Sequence, residues 1–305
     1  MDTTPSQPST DHPAMPDTAT TPVAAEPTSN AAAPARAGGS LMGAAGTLWR
    51  REMVRFFRQR NRVISALATP IVFWLLLGSG LNRTFQVAVE NGAAGGAPDG
   101  IGYLAYFFPG ALVLILLFTA IFSTISVIED RREGFLQAVL VAPVPRLAIV
   151  GGKVLGGASI ATIQGTLFLL VWPLVGAWPG MGAALVAVAT MFVLAMGLTA
   201  LGLCIAWPMD STTGFHAIMN LFLMPMWFLS GAVFPVATAP WWLRGVMYAN
   251  PLTYGHAVLA DVLHGGATPG LALPTWVAAI VMVASGAALI VLAAWLVNRP
   301  RRGGM

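Results

Sequence analysis

The sequence predicts an all-α polytopic membrane protein with six transmembrane helices and both termini on the cytoplasmic side. Three observations carry this prediction. Of 305 residues, 56% are hydrophobic and only 9% charged, where a soluble domain would carry about a quarter charged residues. Six apolar runs are each long enough to cross a hydrocarbon core, which takes roughly 20 residues. Of 16 Lys and Arg, all but Arg83 and Arg244 fall on one side once six crossings are drawn, and the positive-inside rule makes that side cytoplasmic. The runs lack the polar stripe of a soluble core helix, and backbone satisfaction in lipid requires them to be helical. The net charge of +4 follows from topology and gives no sign of nucleic-acid binding.

Residues 1–46 are rich in Pro, Thr, Ser and Ala and show no apolar periodicity. Little offsets the entropy of ordering them, so they are expected to form a disordered cytoplasmic tail, with no apolar core of a signal peptide. Residues 47–305 are expected to form the transmembrane domain. It opens on LWRREMVRFFRQRNR (48–62), with Trp49, Met53, Phe56 and Phe57 on one side and Arg51, Arg55, Arg58 and Arg62 on the other. That pattern predicts an amphipathic helix over 47–62, lying in the cytoplasmic interface. Spans follow at about 63–81, 104–128, 148–172, 181–206, 215–235 and 274–297. In the third, Gly157, Ala161 and Gly165 recur every fourth residue, a small-residue stripe that admits a close neighbour. On the outer side lie a Gly/Ala-rich loop over 82–103 and the tight turn Trp178-Pro179-Gly180. The outer segment 235–266 is apolar but broken by Pro240, Asn250-Pro251 and Gly265-Gly266, and it carries Trp241, Trp242, Tyr248 and Tyr254. It predicts two short helices, about 240–249 and 252–263, re-entrant in the outer leaflet or lying on it.

Several chemistries are missing. No GxxxxGK[ST] phosphate loop occurs, so the chain shows no ATP site of its own. There is no HExxH, no CxxC and no metal-ligand cluster, and the single Cys204 excludes an internal disulfide. His12, His216, His256 and His264 share no helical face. An ion-coupled carrier keeps an ionisable group near the midplane. Here Asp210 and Asp261 lie at span ends or in loops, and the mid-span polar residues Thr162, Gln164, Thr166 and Asn220 are neutral. No Ser is placed with an intramembrane His and acid, which weighs against a membrane enzyme. An ion-coupled carrier and a non-transport scaffold or enzyme are the alternatives to a transporter driven from outside the chain.

The stretch IEDRREGFLQ (128–137) sets five consecutive charges, Glu129, Asp130, Arg131, Arg132 and Glu133, between two apolar runs. A topological stop needs only cations, whereas interleaved acids can steer and register a soluble partner. Gly134 and Pro143 bound a short segment in which Phe135, Leu136, Val139 and Leu140 offer an apolar plug. The whole run 103–155 resembles the central region of the type-2 permeases of ATP-binding-cassette transporters. In that family the second span ends in mixed charges and a Gly, followed by a Leu-rich short helix, a Pro pair (here Pro143 and Pro145) and a Lys (Lys153). The stretch 228–259, with Asn250-Pro251-Leu252-Thr253-Tyr254 towards its end, is similar to the family's second signature. The resemblance covers about residues 47–300. It departs at Phe135, where relatives commonly carry a small residue or Thr, and at Gln137, where an acid is common.

The resemblance implies the permease subunit of an ATP-driven exporter in the bacterial plasma (inner) membrane, moving a drug, lipid or lipid-linked glycan outward. It implies no catalytic residue, metal or cofactor on this chain. ATP and Mg belong to two copies of a cytoplasmic ATPase subunit, and a second permease, either another copy in a homodimer or a partner permease, completes the assembly in the lipid bilayer. It implies an ATPase-coupling helix and flanks made of Glu129, Asp130, Arg131, Arg132, Glu133, Gly134, Phe135, Leu136, Leu140, Pro143 and Arg146. Beside these it places Trp49, Arg51, Arg55 and Phe56 of the interfacial helix, and on the outer side the motif of Trp241, Trp242, Asn250, Pro251 and Tyr254.

Overall fold

A computed structural model describes residues 40–58, 60–82, 102–141, 144–176, 178–266, 271 and 273–299. The expected tail through residue 39, residues 83–101 of the expected outer loop and Pro143 lie outside these, as do the side chains of Arg60, Arg62 and Leu140. Among the described residues all regular structure is helical.

Helix α1 (Leu41–Arg58) begins ahead of the expected start at 47, and α2 covers Arg60–Gly80. Helices α3 (Tyr103–Ser123) and α4 (Ile125–Arg132) form one rod with a hitch at Thr124, whose Oγ1 donates to the carbonyl of Ile121 at 2.6 Å. After Gly134 comes the short α5 (Phe135–Val141), then α6 (Arg146–Leu169) and a 3₁₀ turn over Trp172–Leu174. Next are α7 (Met181–Ala206) and α8 (Thr212–Trp227), the latter running on through a π turn at Phe228–Ala232. Helices α9 (Trp241–Ala249), α10 (Pro251–His264) and α11 (Thr275–Asn298) complete the chain.

Among the described residues, five stretches are long and apolar enough to cross a membrane: Tyr103–Arg132, Arg146–Leu174, Met181–Ala206, Thr212–Ala232 and Thr275–Asn298. The expected first span falls on α2, but its described apolar part, Pro70–Gly80, is shorter than a crossing. The molecule is thus an all-helical, multi-pass membrane protein.

Helix α3 forms the centre of the bundle. Phe107, Phe108 and every residue from Leu112 to Leu117 are essentially inaccessible, as expected for a helix apolar all round. Phe108 stacks on Phe168 at 4.6 Å, and Trp74 meets both edge-on. Pro109 has no N–H, so the carbonyl of Ala105 lacks its helical donor, and the His264 ring nitrogen lies 3.2 Å from it. Close helix approach depends on small residues along α6. A Cβ on Gly152 would fall 2.5 Å from Leu48 Cβ, and one on Gly156 would fall 2.9 Å from Glu52 Cβ, so these two glycines seat α1.

The expected pair of short helices after α8 is present, divided at Asn250. Asn250 Oδ1 accepts from the N–H of Leu252 at 3.1 Å, capping α10, while Nδ2 donates to the carbonyl of Met226 at 2.6 Å. Thr253 Oγ1 donates to the carbonyl of Met247 at 2.7 Å, and the Tyr254 hydroxyl to that of Tyr248 at 2.7 Å. The Asn-Pro-Leu-Thr-Tyr element therefore ties α9 and α10 to the kink that ends α8.

Candidate functional site

The charges of the 128–137 stretch meet the rest of the chain at one end of the bundle. Asp130 is fully buried near the end of α4. Its two oxygens accept four charged donors: Arg51 Nη1 at 2.9 Å and Nη2 at 2.6 Å, Arg55 Nη1 at 3.0 Å, and Lys153 Nζ at 2.6 Å. A carboxylate offers about four lone-pair sites, so Asp130 is saturated. Hydrogen bonding to Asp130 raises the pKa of Arg51 above the ordinary guanidinium value.

Lys153, on the first turns of α6, is saturated in the same way. Its ammonium donates to Asp130, to Glu52 Oε1 at 2.6 Å and to Ser126 Oγ at 2.9 Å, which uses all three protons. Ser126 passes its own proton to the carbonyl of Ser123 at 2.9 Å. Arg55 Nη2 also donates to Glu129 Oε2 at 2.7 Å. Three cations, Arg51, Arg55 and Lys153, thus balance three acids, Glu52, Glu129 and Asp130, across α1, α4 and α6. Buried charges are tolerable only when matched and fully hydrogen-bonded, and this set meets both conditions.

The next residues along α4 grip other helices. Arg131 donates to the carbonyls of Trp207 at 2.6 Å and Met209 at 2.7 Å and to Asp210 Oδ1 at 2.9 Å. Trp207 is the C-cap of α7, where a helix leaves acceptors unsatisfied and carries partial negative charge, and Met209 lies just beyond it. Arg132 Nε donates to the carbonyl of Asp210 at 3.0 Å. Arg146, opening α6, reaches the carbonyls of Val297 and Asn298 at the end of α11 at 3.4 and 3.3 Å.

Helix α5 hangs from this assembly. Gly134 has φ 76°, a left-handed turn that suits glycine, and it redirects the chain out of α4. Leu136 is buried against Val127, Ile149 and Val150, with Val139 packed on the same cluster. The Arg51 guanidinium lies 3.7 Å from the centre of the Phe135 ring. Phe135, Leu136 and Val139 therefore face the bundle and anchor the helix. Its outward face is Gln137, Ala138 and Val141, which is 88% exposed. Glu133 and Arg132 stand exposed beside it.

Of the sequence-predicted residues, Arg51, Arg55, Glu129, Asp130, Arg131, Arg132, Glu133, Phe135 and Leu136 meet at this end, with Arg146 on its margin. Arg51 and Arg55 point into the bundle, not to water, because buried acids await them there. Phe56 is buried, and Trp49 reaches Ser159 Oγ through its indole N–H at 3.1 Å. Trp241, Trp242, Asn250, Pro251 and Tyr254 belong to the separate α9–α10 assembly. Sequence reasoning missed Glu52 and Ser126 as network members. It also read Lys153 as a topology-setting cation and a motif position, although a lone Lys among apolar residues signals a buried counter-charge.

The chain matches the ABC-2 type transporter family over residues 44–263. It is 30% identical over 235 residues to Nodulation protein J of Sinorhizobium fredii (strain NBRC 101917 / NGR234), covering 74% of this chain and 83% of that relative. It is 26% identical over 221 residues to Nodulation protein J of Rhizobium leguminosarum bv. viciae, covering 72% and 81%. It is 24% identical over 226 residues to the daunorubicin resistance ABC transporter permease protein DrrB1 of Streptomyces coeruleorubidus, covering 72% and 74%. The chain belongs to the ABC-2 type transporter family, as a permease subunit of an ABC transporter.

Proposed function

We propose that this permease is the membrane half of an ATP-driven exporter, and that a separate cytoplasmic ATPase acts on it at α5. The observation that carries the proposal is the saturated ion network on Asp130 and Lys153, which makes α1, α4 and α6 one unit. Helix α5 joins that unit through Leu136 behind it and Phe135 under Arg51. A push on the exposed face of α5 then has a stiff path into the spans, while α5 itself offers Gln137, Ala138 and Val141 for docking.

In this reading two ATPase subunits bind ATP and Mg and two permease copies pair as a homodimer. Helix α2 supplies a sixth crossing, and both termini face the cytoplasm of a bacterial cell. Helices α9 and α10 are then re-entrant at the outer leaflet, consistent with Trp241 and Trp242, 85% and 58% exposed. The cargo is an amphiphile: a drug, a lipid or a lipid-linked glycan. One relative is named for daunorubicin resistance and others for nodulation. An ion-coupled carrier fits less well, because the buried charges Lys153 and Asp130 lie at one end of the bundle and are fully occupied.

The test is cross-linking within the complex purified with its ATPase. In a Cys204→Ser background, Val141→Cys is expected to cross-link to the ATPase and Trp241→Cys is not. Equal yields from the two positions, or none from Val141→Cys in a complex that hydrolyses ATP, would defeat the assignment.

A further inference from the structure

Among the described residues Arg244 is the cation at the opposite end from the ion network. Helix α8 starts beside the Arg131–Asp210 contact, and its 16 residues carry the chain about 24 Å before the π turn on which α9 rests. Arg244 lies one turn into α9, and its side chain bends back towards the helix start, as helical side chains do. There Nη2 donates to the carbonyls of Ala237 at 2.8 Å and Ala239 at 3.1 Å. Its Nε is buried without a partner, and among the described residues no carboxylate stands within ion-pair distance.

The guanidinium shares its place with the amino end of α9. That helix opens on Pro240 with no side-chain cap, so the first-turn N–H groups lack helical acceptors. By contrast, Asn250 caps α10. Trp241 and Trp242, 85% and 58% exposed, rim the same spot. Exposed tryptophans mark the level where hydrocarbon meets headgroups. The guanidinium at that level has no carboxylate partner among the described residues, and an anion placed there meets both its charge and the helix dipole.

We infer that Arg244, the amino end of α9 and the Trp241–Trp242 rim hold the phosphate of an outer-leaflet phospholipid headgroup. The leaflet follows from the orientation set by the cations; the site itself depends neither on the cargo nor on the ATPase. It would fix the depth of α9 and α10 in the bilayer.

The test uses the full chain in nanodiscs of phosphate-free digalactosyldiacylglycerol, titrated with phosphatidylglycerol, with retained phospholipid per chain read by native mass spectrometry. Loss of one charge-assisted hydrogen-bonding group predicts about a tenfold drop in retention for Arg244→Gln. Because Arg244 also holds two carbonyls of its own loop, a second variant guards against misfolding. Trp241→Glu alters a residue that packs on little and brings a like charge to the phosphate. It is expected to cut retention about as far, with Trp241→Gln well above it. Retention unchanged in both Arg244→Gln and Trp241→Glu would overturn the inference. Full displacement of phosphatidylglycerol by millimolar inorganic phosphate would overturn it too, because the site would then hold free phosphate.

Discussion

Lys153→Met is the sharpest perturbation of the ion network. The Lys153 side chain is 4% exposed and donates to Glu52, Asp130 and Ser126. Methionine matches the stem in volume, so the change removes the charge with little cavity. The wild-type site holds Arg51, Arg55 and Lys153 against Glu52, Glu129 and Asp130, which is neutral. Without Lys153 it carries one excess negative charge. Asp130 keeps Arg51 and Arg55, but Glu52 is left with Arg51 alone at 3.8 Å. Stranding a buried charge costs about 3–5 kcal/mol. Glu52→Gln leaves the opposite imbalance and should cost a similar amount. The double variant returns the site to balance, so its loss should fall short of the sum by about 0.5–3 kcal/mol, the coupling typical of contacting residues. The assay is reversible unfolding of the four proteins in one detergent, completing a double-mutant cycle. Additive losses, or a Lys153→Met protein as stable as wild type, would refute the network as drawn.

Three further outcomes follow from local geometry. Gly134→Ala meets no atom within 4 Å, so its cost is the left-handed backbone alone, about 1–2 kcal/mol; Gly134→Asn should lose less, as thermal unfolding would show. Arg131→Met strips donors from the carbonyls of Trp207 and Met209, and a charge-assisted bond contributes roughly 1.5–3 kcal/mol. Hydrogen exchange at the end of α7 and the start of α8 should rise, more than in Arg131→Lys. Asn250→Ala removes both the cap of α10 and the donor to Met226, with a loss of about 0.5–2 kcal/mol for the cap alone. Asn250→Asp should restore the cap but not the donor, placing its unfolding midpoint between wild type and Ala.

The elements that can be read from the sequence are those whose signals are local. Helices α7 and α11 are long apolar runs that need no context, and their ends match expectation closely. The α9–α10 division is written in Asn250-Pro251, where one residue caps and the next cannot continue a helix. The start of α1 is not readable. Leu41–Gly46 look like the low-complexity tail before them, yet Ala45 is buried, its carbonyl lying close over Gly152 of α6. The direction of Arg51 and Arg55 is hidden for a related reason. An amphipathic pattern tells which residues share a face, but not whether that face meets water or buried acids. The inward turn of Leu136 is equally hidden, because seven residues make two turns and both faces of α5 carry apolar side chains. The ion network is half visible: the hinge charges stand together, but Glu52 and Lys153 are 101 residues apart.

The arrangement of the hinge charges explains why an ionic joint suits this position better than an apolar one. Glu129 and Asp130 reach α1 and α6, while Arg131 and Arg132, the next two residues, reach the joint between α7 and α8. One turn of α4 is therefore a fork with prongs in two directions. Apolar contacts are non-directional, and packed helices can slide across them with little change in buried area. Saturated charge pairs fix distance and angle together, since any slide strands a buried group. On the proposed coupling, a displacement delivered through α5 and Gly134 cannot be absorbed by slippage at α4. It must move the α1–α6 side and the α7–α8 side together, or break one prong. Of the five charges expected to steer a soluble partner, Glu129, Asp130 and Arg131 are taken up inside the bundle, and Glu133 and Arg132 remain exposed for a partner to meet.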